Sequence, residues 1–265
     1  MSTWKIDQMS KKPKLSNPIL IEGLPGIGNV GKVAVDFLID ELKAKKIYEI
    51  TSYTFPHSVF VNEDNLVELP MIEIFYKKFD SKKQDLILLS GDVQPIDEVS
   101  SYEFSEKVLD IVEQFKGKEV ITLGGIGLAE VPKKPQVYCT GNTKKMIQKY
   151  KNGIVNDQLY GVVGPIVGIS GLLIGLAKRR NIDAISLLSE TYGHPMYLGV
   201  KGAMEILKVL DKKLGLNISM NRLNKEIKEL ETDILSKTEQ INEVARQRAL
   251  KKLKGKFGGE VDYIG

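Results

Sequence analysis

The chain carries one cysteine, Cys139, and two histidines, His57 and His194, in 265 residues. One thiol excludes an internal disulfide and any multi-cysteine metal centre, which suits a reducing compartment, and two imidazoles exclude a histidine-rich one. No metal and no cofactor is expected. Long apolar runs are scarce as well: the longest apolar region, residues 166–177, is short and broken by glycine, too little to span a bilayer. The opening residues Met1-Ser2-Thr3-Trp4-Lys5-Ile6-Asp7 bring an acid early and lack an apolar core, so they do not read as a secretory signal. A cytoplasmic protein without a membrane partner is expected. Neither sign of charge dominates: 38 Lys and Arg face 34 Asp and Glu, a net charge of +4. The basic residues fall in short clusters such as Lys43-Ala44-Lys45-Lys46 and Lys144-Lys145, without interleaved aromatics to stack bases, which argues against nucleic acid.

What the sequence does have is alternation. Short β-branched or leucine-rich runs at residues 19–21, 47–52, 71–76, 86–89, 120–123 and 184–188 alternate with helical spacing at 30–45, 101–116, 143–150, 169–179 and 198–214. That pattern predicts an α/β fold with a mostly parallel sheet flanked by helices. Between Tyr53 and Tyr76 two apolar runs enclose the turn-rich tetrad Asn62-Glu63-Asp64-Asn65, which predicts a hairpin and hence a mixed sheet.

The sequence Gly23-Leu24-Pro25-Gly26-Ile27-Gly28-Asn29-Val30-Gly31-Lys32 joins the first apolar run to the first helix. A glycine-lined strand-to-helix turn suits phosphate, and it also lets helix and sheet approach closely. Gly26, Gly28 and Gly31 fit the dinucleotide pattern, with Glu49 as the acid that would meet a ribose. Gly26, Gly31 and Lys32 fit the start of a P-loop, but Val33 stands where a magnesium-binding hydroxyl is needed, which argues against an NTPase. Nucleotide binding at Gly26, Gly28, Gly31 and Lys32 and a purely structural turn both remain open.

Gly215 ends the α/β text, and residues 216–254 contain neither glycine nor proline. Leu223, Ile227, Leu230, Ile234, Ile241 and Val244 step by three and four, with Lys237 as a polar interruption, so residues 217–254 are expected to form a long heptad helix after an α/β core at 1–216. At 1.5 Å per residue such a helix is roughly 50 Å long and needs a surface to cover its seam. That surface is the core, other copies of the helix, or a different protein. Residues 255–265, ending Val261-Asp262-Tyr263-Ile264-Gly265, read as a flexible tail with an apolar tip.

Catalytic readings are thin. Glu22, Ser90, Asp92, Glu130 and Glu190 would fall at the carboxyl ends of strands, where open α/β sheets bind ligands. A phosphorolytic site would want clustered cations, yet Arg179 and Arg180 lie at a helix end that they would complement. His57 beside Pro56 and His194 beside Pro195 read as turn residues, and Cys139 in a strand-like run reads as a buried, inert thiol.

Three glycine-bearing strand ends recur in order: Gly23 to Lys32, Leu123-Gly124-Gly125-Ile126-Gly127, and the run from Gly161 to Gly175. With Leu88-Leu89-Ser90-Gly91-Asp92-Val93-Gln94-Pro95 between the first two, and Leu188-Ser189-Glu190-Thr191-Tyr192-Gly193 after the third, the chain resembles the PAC2 family of proteasome assembly chaperones. The resemblance implies a phosphorylase-like α/β fold and a non-enzymatic, homo-oligomeric chaperone for proteasome α-subunits; the partners expected are other copies of the chain, and proteasome α-subunits or a second assembly factor. It also implies docking by a C-terminal hydrophobic-Tyr-any-residue tail. Here Tyr263 stands one place early, preceded by Asp262 and followed by Ile264 and Gly265, so the tail departs from that pattern. Burying Asp262 in an apolar pocket would be costly. The alternative is a nucleotide- or nucleoside-binding enzyme built on the glycine turn.

Overall fold

Strands that read as unbroken apolar runs must be covered on both faces, and four of them form the parallel centre of a sheet. The computed structural model describes residues 3–80, 83–151, 153–159, 161, 164–195, 197–219, 221 and 225. The chain divides into two units, Met1–Ile218 and Ser219–Gly265, and the elements below belong to the first. The heptad positions Leu223, Ile227, Leu230, Ile234, Ile241 and Val244 and the tail residues Tyr263, Ile264 and Gly265 lie outside the described residues.

In chain order the elements are β1 (Trp4–Gln8), β2 (Ile19–Glu22), α1 (Val30–Glu41), β3 (Lys45–Ser52), β4 (Phe60–Val61), β5 (Val67–Glu68), β6 (Ile72–Lys77), β7 (Leu86–Gly91) and α2 (Glu98–Gln114). They continue with β8 (Glu119–Leu128), β9 (Val137–Gly141), α3 (Lys144–Tyr150), β10 (Val155–Asn156), α4 (Ile169–Arg179), β11 (Asp183–Tyr192) and α5 (Val200–Leu214). Among the described residues a nine-stranded sheet runs β1-β3-β6-β7-β2-β8-β11-β9-β10. Its centre, β7-β2-β8-β11, is parallel. β6, β3 and β1 extend one side antiparallel, and β9 lies antiparallel to β11 on the other. The sheet is therefore mixed, and the predicted hairpin forms as β4 and β5, a separate two-stranded ribbon.

Alternation along each central strand sends side chains to two helical layers. Leu20, Ile87, Leu89, Val120 and Ala184 join one buried cluster with Phe104, Val108 and Val112 of α2 and Leu173 and Ala177 of α4. On the other face α1 packs on β7 and β8, and α5 packs on α1 and β11. Among the described residues no helix is long and apolar enough to cross a membrane.

Several boundaries differ from the expectation, each for a local reason. α1 stops at Glu41 rather than at 45, because Lys43 turns left-handed (φ 49°) and Ala44 donates back to the Ile39 carbonyl at 2.9 Å, freeing Lys45 and Lys46 for β3. α2 begins at Glu98 rather than 101, because the Asp97 carboxylate accepts the Ser100 N–H at 2.9 Å. The glycines Gly124, Gly125 and Gly127 lie inside β8 rather than at its end, since β11 pairs along them. Of the third glycine run, Gly168 at φ 88° opens α4, and Gly171 and Gly175 lie within that helix rather than at a strand end. β1 was not predicted at all; the Trp4 indole holds it down, 5.7 Å from the Phe55 ring and 5.0 Å from that of Phe104.

Candidate functional site

The carboxyl ends of β2, β8 and β11 meet at the glycine turn, and the turn is built by backbone contact. A Cβ on Gly23 would lie 2.2 Å from the Gly31 carbonyl oxygen, and one on Gly31 would lie 2.4 Å from that of Leu123. At Gly31 the first turn of α1 thus meets Gly23 and Leu123 backbone to backbone. Gly28 takes φ 60° over the Thr191 side chain, and its carbonyl accepts the Gly199 N–H at 2.7 Å. Gly125 sits under the Ile27 carbonyl, where a Cβ would come within 2.2 Å. Glycines from three separate segments therefore close around Thr191, whose hydroxyl is enclosed and makes no hydrogen bond.

This geometry assigns work to each residue of the turn. Gly26 is extended (φ −163°), a conformation any residue adopts, with open space where its Cβ would go. Its N–H is turned to the Asn29 side-chain oxygen at 3.3 Å, and the Asn29 N–H donates back to the Gly26 carbonyl at 2.9 Å. The Lys32 ammonium lies 3.1 Å from the Asp36 carboxylate one helical turn on, and Asp36 also accepts the Ser90 hydroxyl at 2.5 Å. The Gly26 N–H and the Lys32 ammonium, two groups a phosphate would call on, are thus engaged with the protein itself. Beside the turn lies a recess of about 300 Å³, walled by Gly26, Ile27, Asn29, His194, Pro195 and Tyr197. That is at the small end for a ligand pocket, and no lysine or arginine is among its described lining residues.

Beneath the turn two polar side chains tie it to α4. Glu22 is fully buried at the end of β2 and accepts the Leu24 N–H at 3.0 Å and the Ser170 hydroxyl at 2.9 Å. Burial outweighs those two bonds and raises its carboxyl to about 7. Gln94 donates to the Pro25 carbonyl and accepts the Ile169 N–H at 3.1 Å, bridging the turn and the first residue of α4.

The other strand-end candidates separate. Glu190 accepts the Gln136 N–H at 2.9 Å and the Tyr138 hydroxyl at 3.3 Å, binding β11 to the start of β9. Asp92 accepts the Met71 N–H, and Glu130 is exposed in a loop. Arg180 does more than complement its own helix end: its guanidinium meets Glu106, Asp110 and Glu113, a row along α2. Cys139 is buried, and its thiol is pushed up to about 11, chiefly by desolvation. His57 and His194 are exposed, with His194 stacked at 13° on Tyr192. Among the described residues no cluster of His, Cys, Asp or Glu is placed to hold a metal ion. Gln94, Gly199 and Thr191 had not been singled out for this site. Gln94 and Thr191 stand inside the motifs that carry the family resemblance and Gly199 opens a helix after a strand, but none of these signals states the contact each makes.

Comparison with known proteins agrees with this architecture. An uncharacterized protein of Methanocaldococcus jannaschii is 32% identical over 217 residues, covering 82% of this chain and 81% of that protein. The crystal structure of Pyrococcus furiosus PbaB, described as an archaeal proteasome activator, superposes with a TM-score of 0.79 at 38% identity, covering 90% of this chain and all of that one. Pyrococcus furiosus PbaA, described as an archaeal homolog of proteasome-assembly chaperone, superposes with a TM-score of 0.71 at 25% identity over 95% of this chain and 98% of that one. The model of the PAC2 family matches residues 20–236, and the chain belongs to that family.

Proposed function

We propose that this chain is a non-enzymatic, homo-oligomeric assembly factor that acts on proteasome α-subunits through protein–protein contacts. The observation that carries the reading is the likeness to PbaB along its whole length at 38% identity, with PbaA beside it. The glycine turn adds support from chemistry: Gly23, Gly28 and Gly31 are used for backbone packing and Lys32 for an ion pair, so the motif needs no nucleotide to account for it. In this reading residues 217–254 form the heptad helix, and its apolar seam from Leu223 to Val244 covers itself against other copies, with Tyr263, Ile264 and Gly265 left to meet a partner.

The test is light scattering of the full chain, alone and mixed with proteasome α-subunits. An oligomer that gains mass on mixing supports the reading; a chain that stays at its own mass refutes α-subunit recognition. A second reading, action on the finished particle, is favoured by the description of PbaB as an activator. Peptide hydrolysis by assembled proteasome with and without the chain separates the two. For the nucleotide alternative, Lys32→Ala is the clean probe, since a side chain at Gly28 would strike Thr191 and disturb the packing itself.

A further inference from the structure

The β4–β5 ribbon carries an apolar load that the other described residues leave exposed. Val61, Leu66, Val67 and Leu69 are all more than 60% exposed, and Tyr53 at its base is wholly so. Phe60 and Val59 add further exposed apolar surface. A two-stranded ribbon is marginal alone in water, and solvent-facing aliphatic side chains on both of its strands give it nothing to pack on. At the foot of the ribbon opens a groove of about 810 Å³, walled by Tyr53, Phe55, Pro56, Val59, Leu69 and Pro70, with Lys5 on its lining. Ridge and groove are contiguous, since Val59 and Leu69 flank the ribbon strands and also line the groove.

Together these side chains expose on the order of 800 Å² of mostly apolar surface. Monomers seldom leave so large a patch open, and about 800 Å² is what each partner contributes to a standard stable interface. One face of one chain thus holds a ridge and a matching groove. A two-fold axis through such a face seats each ridge in the other groove, which is the requirement for a self-complementary contact. The ribbon turn carries Glu63 and Asp64, and the groove carries Lys5, which pairs with Asp7 of its own chain at 2.6 Å and is exposed, so crossing two copies brings two further carboxylates toward an existing Lys5–Asp7 pair.

We propose that this face is the contact between two copies of the chain, the β4–β5 ribbon of each lying in the other's groove. The proposal rests on the homo-oligomeric reading above and supplies a surface for it in the α/β core. It is tested on the full-length chain by sedimentation and light scattering across a dilution series. Leu66→Glu and Val67→Glu each place a charge in the contact, and a loss of at least about thirtyfold in self-affinity is expected, as for the central residues of an interface. Both positions are exposed, and an unchanged circular dichroism spectrum and melting temperature establish that the variants fold. Asp64→Lys alone should weaken association, and adding Lys5→Glu should restore it, a rescue that only a contact between the turn and the groove produces. Folded Glu variants that keep the wild-type mass, or a wild-type chain that is monomeric at every concentration, overturn the proposal. Binding to α-subunits is measured on the same samples. A chain that self-associates through the ribbon but ignores α-subunits sinks the proposed function and leaves the contact standing, and the reverse outcome sinks the contact alone.

Discussion

Replacing Glu22 by glutamine should remove most of one component of the protein's pH dependence. The Glu22 carboxyl is fully buried at the end of β2, and burial raises it from 4.5 to about 7. Between those values the folded state holds a proton that the unfolded chain has released. Stability therefore falls as pH rises from about 4.5 and levels off above about 7. A shift of this size corresponds to about 3 kcal/mol at full ionisation, at 1.36 kcal/mol per pH unit. The glutamine of the Glu22→Gln variant releases no proton, yet its amide can still accept from Leu24 and meet the Ser170 hydroxyl, which rotates to suit. Urea unfolding of both proteins at pH 5, 6, 7 and 8 isolates the effect, because every other titrating group is shared. The stability of the variant relative to the native chain should rise by about 2–3 kcal/mol between pH 5 and pH 8. A difference that stays flat across that range would refute the reasoning and mean that the carboxylate is solvated or otherwise compensated.

Two glycines of the same turn should respond very differently to alanine. Gly31→Ala drives a Cβ to within 2.4 Å of the Leu123 carbonyl, where neither backbone can yield cheaply, and should destabilise by about 3 kcal/mol. Gly26→Ala enters open space in an extended conformation and should be neutral within about 0.5 kcal/mol; chemical denaturation of the pair checks both. Thr191→Val removes an enclosed hydroxyl without a partner and should stabilise by about 1 kcal/mol, read as a melting temperature higher by about 2–4 °C. Arg180→Met leaves Glu106, Asp110 and Glu113 facing one another along α2 and should cost about 1–2 kcal/mol, with the loss shrinking as salt is raised.

How much of this was legible in the sequence depended on whether the cause was local. Runs such as Leu86-Ile87-Leu88-Leu89 announce a strand covered on both sides, and the tetrad from Asn62 to Asn65 announces a turn, because each is decided by neighbours in the chain. The first strand was not legible, since Trp4-Lys5-Ile6-Asp7 makes sense only when the indole finds Phe55 and Phe104, far away in sequence. The helical reading of Lys43-Ala44-Lys45 failed for a related reason: lysines favour helices, but β6 offers a ladder to Lys45. The fate of Lys32 was half legible, since Asp36 stands one helical turn away, while Ser90 reaches the same carboxylate only through the fold. Gln94 and Thr191 stood in the motifs that carry the resemblance, but their roles were not legible, because those exist only once β2, β7, α4 and β11 have converged.

The glycine turn shows why a motif of this kind is read two ways. A phosphate site needs bare backbone so that N–H groups can close on an anion; a helix laid directly on a sheet needs bare backbone so that carbonyls can touch Cα atoms. Both demands write the same glycines at the same spacing, so spacing alone does not separate them. What separates them is where the space left by each missing side chain goes. Here the spaces at Gly23, Gly28, Gly31 and Gly125 are filled by protein atoms at 2.2–2.6 Å from where a Cβ would stand. Gly26 faces open space, yet it is extended, as any residue can be, and its N–H is taken by Asn29. Binding a phosphate here would require pulling Lys32 from Asp36 and the Gly26 N–H from Asn29. The packing of α1 against the sheet therefore accounts for Gly23, Gly28, Gly31 and Gly125 without a ligand, and the proposal that copies of the chain meet through the β4–β5 ribbon does not draw on this motif.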